Sequence, residues 1–268
     1  MRVSVLGEGD PEVAVVAAIH GDEPCGVHAV EHLLERRPDV RRPVKVVVAN
    51  EEALERGVRY TEEDLNRAFP GYPDADTHEK RLAYDLAHEL TGCRVLALHS
   101  TQSHAEPFAV VDGVDDLVRE VCPRLPITAV VETGRYVEGR VFNSVPGTIE
   151  VECGLQGTAD ASRNAVHLVE AFLIATGVLP GTLPARETPI YRLTARVPKA
   201  EAEEYEVLVP NFERVESGEP FAAVDGESQI AEEAFYPVLL SAYGYDDVFG
   251  YSAEQVGRVG QVSSSAPR

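Results

Sequence analysis

The sequence predicts an α/β fold: a mixed, largely parallel sheet with helices on both faces, followed by a small β-rich C-terminal domain. Three observations lead there. Residues 13–19, and 44–49 apart from Lys45, are apolar runs of strand length, as strands buried on both faces require. Amphipathic helical patterns fall between such runs, and that alternation builds strand–helix–strand units. Beyond about residue 186 the texture changes to short β-like segments separated by Gly and Pro.

Taken in order, strands are predicted at 13–19, 44–49, 94–98, 108–111, 128–131 and 148–153. A helix over 26–36 places Val27, Val30, Leu33 and Leu34 on one stripe. A second, over 78–90, does the same with Leu82, Leu86 and Leu90, and a third over 161–176 carries Ala165, Leu168, Val169, Phe172 and Leu173 before Gly177 stops it. Pro180-Gly181-Thr182-Leu183-Pro184 reads as a linker. Further β-like segments follow at 190–197, 206–209 and 238–241. The domain expectation is an α/β unit over 1–185, a β-rich appendage over 186–250, and a tail over 251–268 that frays from 259.

Composition sets the bounds. A 268-residue chain with 44% hydrophobic residues can bury a full-sized core. No run of about 18 apolar residues predicts a membrane span. Residues 1–8 turn acidic too early for a signal peptide, so a cytoplasmic location is expected. Cys25, Cys93, Cys122 and Cys153 are scattered and form no C-x-x-C pair, which fits reduced thiols. A net charge of −21 argues against nucleic acid or an anionic membrane as partner. Of 24 cationic residues only Lys45, Lys80 and Lys199 are lysines. Many carboxylates with few lysines predict a protein from a salt-adapted source, where a short Debye length screens self-repulsion.

The chemistry concentrates at strand ends. His20 closes the first apolar run, and Glu23 follows where Pro24 would open a helix. His99 closes another strand. Ligands of open α/β sheets gather beyond the carboxyl ends of strands, so neighbouring strands would bring the three together. Two imidazoles and a carboxylate suit a catalytic Zn²⁺ with one position left for water. The segment 59–71 offers Arg59, Asn66 and Arg67 on one loop, a set of donors suited to a carboxylate or an oxyanion. On charge pattern alone the same loop reads as solvated, with ion pairs to Glu62, Glu63 and Asp64.

The order of these motifs carries a family likeness. His20-Gly21-Asp22-Glu23, then Arg59-Tyr60 with Asp64-Leu65-Asn66-Arg67 and Phe69-Pro70-Gly71, then Leu98-His99-Ser100-Thr101, then Glu-x-Gly at 152–154 resembles the succinylglutamate desuccinylase/aspartoacylase family. The likeness runs from about 18 to 157 and is weaker beyond. It implies a three-layer zinc carboxypeptidase-like domain, with His20, Glu23 and His99 matching the zinc ligands. Asn66 and Arg67 match residues that hold the substrate and polarise its carbonyl, and Arg59 matches another active-site arginine. Arg140 corresponds to an arginine that meets a substrate carboxylate; a surface arginine is the alternative. A strand glutamate activates water in the family. Glu152 fits through Gly154, Glu150 fits an ungapped aspartoacylase-like pattern, and strand alternation puts both on one face. Glu152 is taken as the base. Tyr236, Tyr243 and Tyr245 resemble the end of the family's β domain, where a tyrosine faces the site.

One departure stands out. Family members carry an aspartate two residues before the last histidine ligand, and this chain has Ala97. Carboxylates behind ligating histidines orient them, and losing one costs roughly 10–100-fold in affinity or activity. Asp22 or another acid would have to compensate; otherwise Asp22 reads as a turn residue or helix cap. The resemblance implies a zinc-dependent deacylase acting on an N-acyl amino acid or similar small amide. A zinc carboxypeptidase on short peptides and a non-catalytic zinc or small-acid binding protein are the alternatives. Homo-oligomerisation stays open.

Overall fold

Strand residues that alternate across one sheet feed two separate cores, and this produces the layers. The structure, a computed structural model, describes residues 1–260. Its first part comprises β1 (Arg2–Leu6), β2 (Val13–Ala17), α1 (Pro24–Arg36), β3 (Val44–Val48), α2 (Glu51–Arg56), α3 (His78–Glu89), β4 (Arg94–Thr101) and β5 (Phe108–Val111). It continues through α4 (Asp116–Val121), β6 (Val130–Glu132), α5 (Val141–Ser144), β7 (Thr148–Leu155) and α6 (Ala159–Ala175). The remainder is β8 (Thr188–Pro198), β9 (Tyr205–Val207), β10 (Pro220–Val224), β11 (Glu227–Ile230), β12 (Tyr236–Val238) and β13 (Val248–Val259).

Ten strands form one mixed sheet in the order β1-β3-β2-β4-β7-β5-β6-β8-β13-β12. The pairs β2/β3, β2/β4, β4/β7, β5/β6 and β6/β8 are parallel. Val13, Val15, Ala17, Leu96 and Leu98 point to the face covered by α1, α4 and α6. Their neighbours Ala14, Val16, Val95 and Ala97 point to the other face, where Leu82, Leu86 and Leu90 from the second predicted helix, α3 and its C-cap, pack. The zinc-carboxypeptidase-like three-layer expectation therefore holds, with helices on both sides of a continuous sheet.

The C-terminal part is arranged differently from the expectation. Strands β8, β12 and β13, expected in an appendage and a tail, extend the main sheet. Only β9, β10 and β11 form a separate three-stranded sheet. Tyr191, Leu193, Tyr251 and Ala253 pack against Phe108, Val110 and Val131 in one core, and burial of that apolar surface is what recruits the strands. Past Leu193, β8 becomes largely exposed and leaves the core. Val259, expected to fray, is buried at the end of β13; residues 261–268 of the expected tail lie outside the described residues. Strand β1 and helices α2 and α4 also lack a counterpart in the sequence prediction, being too short for a clear period.

Two glycines set the site's frame by permitting close approach. A Cβ on Gly21 would lie 2.2 Å from the backbone of Ala53, so the loop after β2 can rest directly on α2. Gly139, at φ +75°, places its Cα where a Cβ would meet Arg67 O at 2.4 Å. That contact brings Arg140 beside the 59–71 loop.

Candidate metal centre

Strands β2 and β4 are parallel neighbours, with Val16 opposite Ala97. Their carboxyl ends therefore deliver His20 and His99 to one place. The chain turns at Ala18, a non-glycine residue at φ 55°, and this conformation aims the His20–Glu23 corner across the end of β4. His20 Nδ1 lies 2.7 Å from Glu23 Oε1, and His99 Nδ1 lies 3.1 Å from Glu23 Oε2 and 3.3 Å from His20 Nδ1. All three side chains are buried. Ligands each about 2.1 Å from one tetrahedral ion stand about 3.4 Å apart, close to these spacings. The trio is the one group among the described residues with metal-ligand geometry.

The surroundings fit a cation. Burial opposes charge on His20, yet the Glu23 and Asp64 carboxylates overcome it and raise its pKa to about 9. Burial would likewise raise Glu23, but the two imidazoles hold it well below the usual carboxylate range. A site that draws positive charge onto an imidazole in this way suits a divalent ion in the same place. Glu23 is further fixed by the Ser100 backbone N–H at 3.1 Å and by Arg59 at 3.0 Å. Behind His20, Nε2 meets Asp64 Oδ1 at 3.0 Å. Asp64 also accepts from Arg59 and from the Asn66 backbone N–H. Burial would raise the Asp64 carboxyl, but His20, Arg59 and Arg67 hold it well below its ordinary value.

A pocket of about 50 Å³ stands over the trio, lined among others by Arg59, Asn66, Arg67, Arg140, Glu152 and Tyr245. It opens into a larger cavity of about 620 Å³ through the shared residues Arg59, Arg67, Gly244 and Tyr245. Every residue picked out by sequence for metal, base or substrate lines the pocket.

A match to the family model for the succinylglutamate desuccinylase/aspartoacylase catalytic domain covers residues 9–136, which hold all three metal-cluster residues and the 59–71 loop. Over that stretch, just under half of the chain, the sequence is similar to the succinylglutamate desuccinylase/aspartoacylase catalytic domain. It is similar to an N-acyl-aromatic-L-amino acid amidohydrolase (carboxylate-forming) of Xenopus tropicalis, at 24% identity over 87% of this chain and 89% of that protein. It is similar to the aspartoacylase of the same organism at 28% identity, over 39% of this chain and 38% of that protein. In fold it matches a succinylglutamate desuccinylase/aspartoacylase structure from Rhodobacter sphaeroides, with a TM-score of 0.79, 18% identity, and coverage of 95% and 89% of the two chains.

The fold separates the two strand glutamates clearly. Glu152 lines the pocket, and among the described residues its Oε2 has no partner. Burial raises its pKa, with Glu23 and Glu150 adding to the effect against His99 and Arg140. Glu150 is instead enclosed. It accepts from Asn66 Nδ2 at 3.1 and 3.2 Å and from Arg140, and its Oε2 lies 3.8 Å from His99 Nε2. In the β4/β7 register Glu150 sits opposite Ala97. The acid beside the Ala97 position is thus Glu150, from the next strand. Asp22 does not compensate: its Oδ1 is buried without a partner among the described residues, and it does not cap α1, whose N-cap is Glu23.

The arginines also separate. Arg59 is engaged by Glu23 and Asp64, and Arg140 is buried against Glu150. Asn66 spends its amide on Glu150 and the Val141 backbone N–H. Arg67 forms no ion pair among the described residues; it donates to the Asn66 carbonyl and is exposed to the pocket. Of the tyrosines, Tyr245 lines the site, and burial pushes its pKa up to about 12. Tyr236 packs on Tyr191, and Tyr243 is 63% exposed.

Sequence reasoning missed Glu79, a fully buried residue near the start of α3. Its Oε1 accepts from the Thr61 N–H and hydroxyl and from Asn50 Nδ2, and its Oε2 accepts from the N–H groups of Glu62 and Glu63. In the sequence it looks like an ordinary acid in a helix's first turn, so no pattern singles it out.

Proposed function

We propose that the chain is a zinc-dependent deacylase that hydrolyses the amide of an N-acyl amino acid or similar small acylated amine. The observation that carries this reading is the convergence of His20, Glu23 and His99 in one pocket with a Glu152 oxygen and an Arg67 guanidinium that, among the described residues, have no hydrogen-bond and no ion-pair partner respectively. His20 Nδ1, Glu23 and His99 Nδ1 would hold the ion. Bound zinc supplies Lewis acidity, which lowers the pKa of water and polarises a carbonyl.

The chain's own residues do the rest. Glu152 takes a proton from the attacking water and returns it to the leaving amine. Its desolvated position favours that exchange, because a carboxylate with a raised pKa binds a proton readily. Arg67, without an ion pair among the described residues, meets negative charge on the substrate, whether carboxylate or developing oxyanion. Arg59, Asn66 and Arg140 shape the same wall. Asp64 fixes the His20 ring, and Glu150 stands behind His99. The small inner pocket favours a small amide over a polypeptide, which sets the carboxypeptidase reading second.

The test is a panel of acetyl-, succinyl- and longer acyl-amino acids alongside short peptides, assayed with the zinc-loaded and the chelated protein. The proposal expects one zinc per chain, hydrolysis of acyl-amino acids only with metal, and little peptide cleavage. One bound zinc without hydrolysis of any panel member would favour a binding protein instead.

A further inference from the structure

Two openings lead away from the metal cluster, and they differ in chemistry. One is the cavity walled by Arg59, Arg67, Arg196, Asp246 and Asp247. The other is a groove of about 530 Å³ that continues from the inner pocket through Gln102, Ser103 and Ser241, which line both. The groove runs between the end of β7 and the three-stranded sheet, over Leu155, Val207, Val209 and Tyr243. None of the described residues lining it is an Asp, Glu, Lys or Arg. In a chain where 26% of residues are charged, that is a pronounced local exclusion. Its imidazole, His104, is held towards the neutral form by burial. Leu155 and Tyr243 leave large apolar surface in water there, at 39% and 63% exposure.

We propose that this groove is an acyl subsite, taking an apolar acyl group longer than acetyl from an N-acyl amino acid. The inference rests on the deacylase reading and adds its substrate class. Hydrolysis breaks the amide C–N bond: water gives its oxygen to the acyl carbon, and the released amine gains the proton that Glu152 carried. The two halves must leave the metal cluster in different directions. A carboxylate one carbon from the amide nitrogen is drawn to Arg67, at the junction with the charged cavity. The amine half therefore occupies that side. The acyl half then extends through Gln102 and Ser103 into the uncharged groove, whose volume lies in the range of ligand-binding clefts.

The experiment compares kcat/KM of the zinc-loaded protein on N-acetyl-, N-butanoyl-, N-octanoyl- and N-benzoyl-methionine. Each methylene withdrawn from water raises kcat/KM by up to about fourfold, so the octanoyl substrate is expected to exceed acetyl by at least tenfold, given the groove's partial openness. Val207→Asp places a charge on the groove wall and should bring the octanoyl-to-acetyl ratio close to one. Leu155→Asp, at an exposed strand end, tests the same ratio should Val207→Asp fold poorly. A ratio near or below one in the unaltered protein, with acetyl-methionine hydrolysed, overturns the acyl subsite and leaves the deacylase standing. Equal losses on both substrates in both variants also overturn it. Hydrolysis of none of the four overturns the deacylase reading, and the subsite with it.

Discussion

Glu79 offers the sharpest test of how this site is held. Its two oxygens accept five hydrogen bonds, four of them from the segment 61–63 that leads into Asp64, Asn66 and Arg67. Glu79→Gln keeps one acceptor oxygen but turns the other position into an amide that cannot accept. The N–H groups of Glu62 and Glu63 then lose their partner. An orphaned, enclosed donor costs about 1–3 kcal/mol, so the pair should cost about 3 kcal/mol. In a chain of this size that lowers Tm by roughly 6–12 °C. Because the loop carries Asp64 and Arg67, kcat/KM should fall roughly 10–100-fold even where the variant is fully folded. The pH profile gives a second readout. The hydrogen bonds from Thr61, Asn50 and Glu63 outweigh burial and hold the Glu79 carboxyl below its ordinary value of 4.5. Its contribution is therefore fully present above about 4.5 and disappears as pH falls through the lower folded value. Thermal unfolding from pH 3 to 7 should show an acid-side loss in the unaltered protein that is smaller in Glu79→Gln. A variant with unchanged Tm and unchanged kcat/KM would refute the role.

Glu152→Gln should retain one zinc per chain, measured by metal analysis, while turnover falls by roughly 10²–10⁴-fold; unaltered turnover would return the base to Glu150. Arg67→Met should lower kcat/KM by about 10²–10³-fold, the scale of removing one donor to developing charge, with little change in zinc content. A rise in KM alone would confine Arg67 to holding the substrate. Salt should stabilise the protein: with a net charge of −21, Tm is expected to rise from low to molar KCl, and a fall would count against salt adaptation.

Much of the centre was legible because its signals are local. His20 and Glu23 stand three residues apart at a strand-to-helix corner, and Pro24 marks the helix start. His99 ends an apolar run, and the strand–helix alternation puts both run ends on one side of a sheet. Spacing could not choose between Glu150 and Glu152, which share a face. The fold separates them: Asn66 and Arg140 enclose Glu150, while Glu152 is left with a free oxygen towards the pocket. Nor could composition show which arginine lacks a partner, since that depends on where Glu23, Asp64 and Glu150 arrive.

The sequence by itself determined the alternating α/β plan, the His20–Glu23 corner and the loop that faces it, because each is written in periodicity or in residues a few positions apart. Tertiary structure alone decided that β8, β12 and β13 extend the main sheet, that Glu150 stands beside Ala97, and that Glu79 anchors the 59–71 loop. These are choices of partner between distant segments. They are settled by which surfaces bury together and which polar groups must then be satisfied, and a one-dimensional pattern does not carry that information.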